Sequence, residues 1–299
     1  LKISPRLLST AILLAVVSFC GAREIVFASY NIENYLAMPR SSGDGVKIDK
    51  PKPEAEIQAV LSILGKIKPD ILGIVEMGDE AMLRDFQSRL RQRGLDYDFT
   101  EWVQGDDTTR HLALLSKFPI SQRHSRGDIS LDLDGRRFRM ARGILDVTVD
   151  VSPTYKLRVV GLHLKSRRPV PEYDEKKFRA REAMAVRAHL DGVLKNNPNE
   201  NLIVFGDLND TKNEFPVIEI LGPAKSPLGL RDIPLHDAQG MTWTHYWKSA
   251  DIYSRVDYLL SSRGLWPEVL PRKSGIDNSA EWRQASDHRA IYTTLSISE

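Results

Sequence analysis

The sequence predicts an α/β domain in which strands outnumber helices and the helices lie outside. Three features carry this expectation. Short apolar runs rich in Val, Ile and Leu end abruptly on polar residues, as strands buried on both faces do. Longer segments at 54–68, 80–93 and 175–195 repeat apolar residues at helical spacing. No Pro/Gly/Ser-rich linker divides the body of the 299-residue chain, so one large domain is expected over residues 23–299.

Residues 1–22 differ from the rest. Lys2 and Arg6 precede an apolar run from Leu7 to Phe19, and Cys20, Gly21 and Ala22 are small. These are the three parts of a secretory signal, with cleavage expected after Ala22 and export to the periplasm or beyond the cell. The run is short for a membrane span of about 20 residues; an N-terminal anchor helix is the other reading. Lipid attachment at Cys20 fits less well, because Phe19 is large where lipoprotein signals carry a small residue. Cys20 is the only cysteine, so the cleaved chain would have no disulfide, cysteine metal site or catalytic thiol. The formal charge of +2 is 42 basic against 40 acidic residues, an excess that the two basic residues of the leader supply. A near-neutral body is not that of a strongly basic nucleic-acid binder.

The elements follow in order. Ile25 to Tyr30 reads as a buried strand, with Asn31, Glu33 and Asn34 at its end. Residues 38–53, rich in Pro, Gly, Ser and charge, read as a surface loop. Glu54 to Lys68 is a helix, with Ile57, Val60, Leu61 and Leu64 on one face and Pro69 as its stop. "DILGIVEM" is a strand ending near Glu76, and Glu80 to Arg93 is a helix closed by Gly94. "LALLSKFPI", "FRMARGILDVTVD" and "YKLRVVGLHLKS" read as strands. Glu175 to Lys195 is a long helix with Ala183, Val186, Leu190 and Val193 on one face. Leu202 to Phe205 is a buried strand leading through Gly206 to Asp207, Asn209 and Asp210, and "SRVDYLLSS" and "HRAIYTTLSI" complete the strand set.

Polar groups recur at strand ends: Asn31 and Glu33, Glu76, His163, Asp207 and Asn209, Asp257, and Asp287 with His288. Each has an ordinary alternative. Glu76 suits the approach to a helix N-terminus, His163 a hydrogen-bonded core histidine, and "GDLND" or "SDH" a polar turn. Asp257 inside "VDYLL" is harder to dismiss, since a buried carboxylate is costly unless paired. Were these residues to converge, Glu76 with Asn31 or Asp287 would suit a magnesium-type cation. Asp257 would orient His288, Asp207 would align or deprotonate a water, and Asn209 and His163 would bind phosphate oxygens. Spacing alone does not bring residue 31 to residue 287.

The motifs "YNIEN", "IVEM", "GLHLKS", "GDLND", "SRVDYLL" and "SDHRAI", in that order, resemble the endonuclease/exonuclease/phosphatase superfamily, which includes deoxyribonuclease I, exonuclease III, sphingomyelinases and inositol-polyphosphate 5-phosphatases. The resemblance spans about residue 24 to about residue 297. It implies a four-layer α/β sandwich, two packed mixed sheets flanked by helices. It further implies that Asn31, Glu33, Glu76 and Asp287 are metal-side residues. By the same likeness, His163 binds phosphate, Asp207 and Asn209 flank the attacking water, and Asp257 and His288 form a carboxylate–histidine pair. The expected cofactor is Mg2+, with Mn2+ as its substitute, and the expected activity is hydrolysis of phosphodiesters by an exported endonuclease or phosphodiesterase. A phosphomonoesterase or lipid phosphodiesterase of the same fold, and a non-catalytic surface-binding domain, are the alternatives.

The expected substrate is a phosphodiester, with nucleic acid as one class, and the expected state is a monomer without a stable protein partner. Lys165 and Arg179 are candidate substrate contacts within a run of mixed charge that also suits a solvated face. "TWTHYW" at 242–247 offers aromatic rings for base stacking, although aromatics more often pack inward. No apolar hairpin of the kind membrane docking needs is evident.

Overall fold

The computed structural model describes residues 23–41 and 47–297; the expected leader at 1–22 lies outside them. The chain begins with β1 (Arg23–Tyr35), a ribbon of β2 (Met38–Ser41) and β3 (Lys47–Lys50), α1 (Glu54–Ile67), β4 (Ile71–Met77) and α2 (Glu80–Gln92). Six strands follow: β5 (Phe99–Val103), β6 (His111–Ser116), β7 (Ile120–Arg123), the ribbon β8 (Ser130–Leu133) and β9 (Arg136–Arg139), and β10 (Leu145–Asp150). Then come β11 (Lys156–His163), α3 (Glu175–Asn196), β12 (Leu202–Asp207), α4 (Phe215–Leu221) and β13 (Arg231–Asp232). The ribbon β14 (His245–Trp247) and β15 (Ile252–Ser254) precedes β16 (Asp257–Ser261), β17 (Val269–Ile276), α5 (Trp282–Ala285) and β18 (Ile291–Ile297).

Two six-stranded sheets form the centre, in the orders β17-β18-β1-β4-β6-β5 and β13-β16-β12-β11-β10-β7. Each is mixed. One parallel pair, β1 with β4 and β11 with β12, sits among antiparallel neighbours. A parallel pair needs a crossover, and α1 and α3 supply the two.

Strand alternation divides the core into three layers of contact. Phe27, Val75, Val147, Val159, Phe205 and Leu259 fill the space between the sheets. Ala28, Tyr30 and Leu72 face α1 and α2, while Val160, Leu162 and Val204 face α3 and α4. The order helix, sheet, sheet, helix is therefore a direct consequence of period-2 patterning in strands buried on both faces. Glycine lets the sheets close: a Cβ at Gly73 or Gly161 would collide with the Phe205 ring.

Three local expectations are corrected. Residues 38–41 and 47–50 pair as an antiparallel ribbon, Met38 with Lys50 through Ser41 with Lys47; β3 has no buried residue, so it has no apolar alternation to reveal it. "LALLSKFPI" is two strands in different sheets, parted where the Ser116 hydroxyl bonds the backbone of Phe118. "FRMARGILDVTVD" is likewise β9 and β10, parted at Gly143, whose φ of 69° breaks the extended run. No described helix is long and apolar enough to cross a membrane.

Candidate active site

Asn31 follows Ile25 and Phe27 on the inter-sheet parity of β1, and Asp207 follows Ile203 and Phe205 on that of β12. His163 follows Leu157 and Val159 on β11, and Asp257 precedes Leu259 on β16, in the same phase. Each is therefore the outermost inward-facing position of regular pairing in its strand, Asn31 being the one before β1 shifts register, at one mouth of the cleft between the sheets. The register completes the alignment: His163 pairs with Asp207, and Asp207 with Asp257, as one row across three strands. Because β1, β4, β11 and β12 form the two parallel pairs, their C-terminal ends deliver the polar residues.

Gly206 makes the close pairing feasible. Its φ is 138°, and a Cβ there would meet the Leu162 carbonyl oxygen. Glu33, Glu76 and Asn209 adopt positive φ of 47°, 66° and 52°, a left-handed conformation that non-glycine residues enter at a cost. At Glu76 the β4–β6 register shifts between Val75 and Met77, which turns the carboxylate out of the strand.

Asp207 is the hub. Its Oδ2 accepts from Asn31 Nδ2 at 3.2 Å and lies 3.7 Å from His288 Nε2 and 3.8 Å from His163 Nε2. Its Oδ1 accepts from the Asn209 backbone N–H at 2.8 Å. Burial, with the Asp257 charge adding and His288 opposing, pushes the Asp207 carboxyl up to about 7. His288 Nδ1 is 2.8 Å from Asp257 Oδ2, which leaves Nε2 facing Asp207 and Asn31, the latter at 3.4 Å. Burial works against its charged form, but the Asp257 and Asp207 carboxylates outweigh it and hold the imidazole well above its usual range. His163 behaves oppositely: burial, then the Arg142 charge, drive it well below the histidine range, so it is neutral. Its Nε2 is 3.9 Å from Glu76 Oε1, and its buried Nδ1 has no hydrogen-bond partner among the described residues.

The acidic side is tied together through backbone. Asn31 Oδ1 accepts from Glu33 N–H at 3.1 Å, Glu33 Oε2 from Asp287 N–H at 3.1 Å, and Glu76 Oε2 from Asn34 N–H at 3.0 Å. Ser286 Oγ donates to the Asn31 carbonyl at 2.8 Å, which pins the Asp287–His288 segment to β1. Burial and the Asp287 charge raise Glu33 to about 7. Asp287 itself is lowered: burial opposes this, but His245, whose Nε2 lies 3.8 Å from Oδ2, and the His288 charge prevail. Among the described residues, the groups whose ligand atoms lie within 4.8 Å of one another are His245–Asp287–His288 and Asp207–Asp257–His288; Glu33 and Glu76 belong to neither.

Three predicted side chains are engaged elsewhere. Arg179 is corrected from a substrate contact to an interior ion pair: its Nε donates to Asp210 Oδ2 at 3.0 Å and its Nη1 to the Lys165 carbonyl at 3.1 Å. Lys165 is likewise buried, its Nζ held by the Ser166 and Arg168 carbonyls at 3.2 and 3.0 Å. Asn209 Nδ2 donates to the Leu164 carbonyl at 3.0 Å, so its amide braces the two loops. The long stems of Arg and Lys let the charge travel inward, which spacing cannot reveal.

Arg110, Arg142 and His245 went unnoticed in the sequence. Arg110 Nε lies 3.9 Å from Glu76 Oε2. Arg142 Nη2 pairs with Asp107 Oδ2 at 3.0 Å, while its buried Nε and Nη1 have no hydrogen-bond partner among the described residues. Its loop is fixed by Glu182, whose buried carboxylate accepts the backbone N–H of both Ala141 and Lys165, at 3.1 and 2.6 Å. The His245 ring packs against that of His288 with centroids 4.6 Å apart and planes tilted by 39°. Only an arginine opening the buried run "ILDVTV" hinted at Arg142.

The described fold is shared with solved structures of low identity. An endonuclease/exonuclease/phosphatase family protein from Leptotrichia buccalis aligns with a TM-score of 0.62 at 15% identity, covering 91% of this chain and 100% of the other. Truncated Caenorhabditis elegans TDP2 gives 0.59 at 18% identity, covering 92% and 98%. The catalytic domain of human Nocturnin, with bound sulfate anion, gives 0.59 at 16%, covering 91% and 94%. No curated protein matches the sequence significantly. The Endonuclease/Exonuclease/phosphatase family model matches residues 28–288, a span that holds the whole polar row. The chain belongs to the endonuclease/exonuclease/phosphatase family.

Proposed function

We propose that this chain is a divalent-cation-dependent phosphoesterase that hydrolyses phosphodiesters by in-line attack of water. One observation carries this reading: a buried carboxylate, Asp207, meets Asn31, His288 and His163 at a single cleft mouth. Family members are usually hydrolases of phosphate esters that use divalent metals. Here Asn31, Glu33, Glu76 and Asp287 supply oxygen donors, and the burial and the Asp287 charge that raise the Glu33 carboxyl are effects that a cation would offset. An oxygen-only donor set fits Mg2+, with Mn2+ as the substitute. Once bound, the cation would offset charge on the phosphate and on the departing oxygen.

The chain's own residues do the rest. Asp207, with its carboxyl near 7, takes the proton of the attacking water. Asn31 Nδ2 fixes the orientation of that carboxylate. His288, held in place by Asp257, donates from Nε2 to a phosphate oxygen as negative charge builds. Neutral His163, with its proton on Nε2, donates to the other. The unpartnered Nε and Nη1 of Arg142 add positive potential behind His163.

The test is hydrolysis of bis-p-nitrophenyl phosphate, plasmid DNA, RNA, inositol phosphates and sphingomyelin with Mg2+, with Mn2+ and with chelator. Turnover that needs the cation and is lost in Asp207→Ala and His288→Ala is the expected result. Turnover that survives chelator, or survives both substitutions, would overturn the reading. The panel also separates diester from monoester and lipid substrates.

A further inference from the structure

We propose that the β14–β15 ribbon is a stacking platform for a nucleobase next to the scissile phosphate, so that the substrate is single-stranded nucleic acid. This rests on the phosphodiesterase reading above. The ribbon grows directly from the site. Tyr246 N–H donates to the Asp287 carbonyl at 2.9 Å and Arg289 N–H to the Thr244 carbonyl at 2.7 Å, and His245 and His288 form a β-bridge. Side chains alternate along the ribbon. His245 and Trp247 therefore share a face with their cross-strand partners Ser254 and Ile252, while Tyr246 and Tyr253 occupy the other.

The two faces differ in kind. On the outer face Tyr246 and Tyr253 stack at 4.4 Å, backed by Trp243 at 4.8 Å from Tyr253 and by Trp282. That face is braced by aromatic contacts, with Tyr253 still 43% exposed. On the site face His245 lies against the His288 ring, and the next position outward, about 7 Å further by strand rise, is Trp247. Trp247 is 56% exposed and its partner Ile252 49%. An exposed indole on a ribbon braced from its other face, two residues from His245 on the same strand face, suits a planar ring carried by the same substrate. The ribbon turn holds Lys248 and Asp251, charges that would resist entry into a bilayer. The exposed pair Trp247 and Ile252 lies on the ribbon face that carries His245, whose ring is 4.6 Å from that of His288.

The test reads binding by the full chain in chelator, so that no turnover is needed. The probes are an oligothymidylate, an abasic oligodeoxyribonucleotide of equal length and phosphatidylcholine vesicles. Trp247→Ala is expected to weaken oligothymidylate binding roughly 10-fold, Trp247→Phe to restore most of it, and the abasic strand to bind weakly and alike to all three. Equal oligothymidylate affinity of wild type and Trp247→Ala would overturn the platform. So would equal affinity for abasic and base-bearing strands, or Trp247-dependent binding confined to vesicles. Base-dependent binding without hydrolysis of any phosphodiester would overturn the catalytic reading and leave the platform. Hydrolysis with Trp247-independent binding would do the reverse.

Discussion

Asp207 and His288 share a buried site with opposite demands. One carboxyl is raised to about 7 by burial, and the neighbouring imidazole is held charged by Asp257 and Asp207 itself. A base must be deprotonated and a phosphate-binding imidazole protonated, so the two titrations bound a window. The kcat/KM for bis-p-nitrophenyl phosphate is expected to rise through about pH 7 as Asp207 ionises, then fall at higher pH as His288 loses its proton. A profile flat between about pH 5 and pH 8 would remove Asp207 as the base. Asp257→Asn removes the charge that supports His288, so the alkaline limb should move to lower pH; an unmoved limb would show that Asp257 does not set it. His163→Ala, Asp207→Ala and His288→Ala are each expected to cost about 100-fold or more in turnover with the fold retained.

At the scale of elements, β11 and β12 must lie close for His163 to face Asp207. Gly206 permits this with its φ of 138°. Gly206→Ala would set a methyl on the Leu162 carbonyl oxygen in a backbone region closed to L-residues, and is expected to cost about 2 kcal/mol or more in urea unfolding. An unchanged midpoint would mean that the strands can part there without loss. Glu182 links α3 to the loops on either side of the cleft mouth by accepting from Ala141 and Lys165. Glu182→Ala strands the buried Lys165 N–H, at a cost of about 1–3 kcal/mol, and the part-buried Ala141 N–H at a smaller one. It should lower stability and, by loosening Arg142 and the end of β11, lower turnover as well.

For the whole molecule, the cation and the fold are coupled. If Glu33, Glu76 and Asp287 bind it, Mg2+ or Mn2+ will raise the melting temperature in proportion to the logarithm of concentration above Kd. Glu76→Gln should abolish most of that rise, and an equal rise in the variant would exclude Glu76 as a ligand. The leader-like residues 1–22 carry a separate expectation: the chain recovered from its producing cells begins at Arg23, and recovery with Leu1 still in place would refute cleavage.

The polar ends of "IVFASYN", "VVGLH", "LIVFGD" and "VDYLL" were legible because a strand buried on both faces leaves its apolar run without ambiguity, and because the order of the motifs resembles a known family. So were α1, α2 and α3, whose apolar stripes declare their buried faces. The small ribbons were not legible: β3 buries no residue, and Trp247 reads the same in "TWTHYW" whether it packs or projects. Nor could the sequence show that Arg179 is bound to Asp210 while Arg142 keeps two nitrogens unpartnered, since a long side chain can turn either way from one backbone position. The sequence by itself determined which groups end the strands and on which parity they fall. Only the tertiary structure decided that those ends share one cleft mouth, because parallel pairing and cross-sheet packing join residues such as Asn31 and His288 that no local spacing relates.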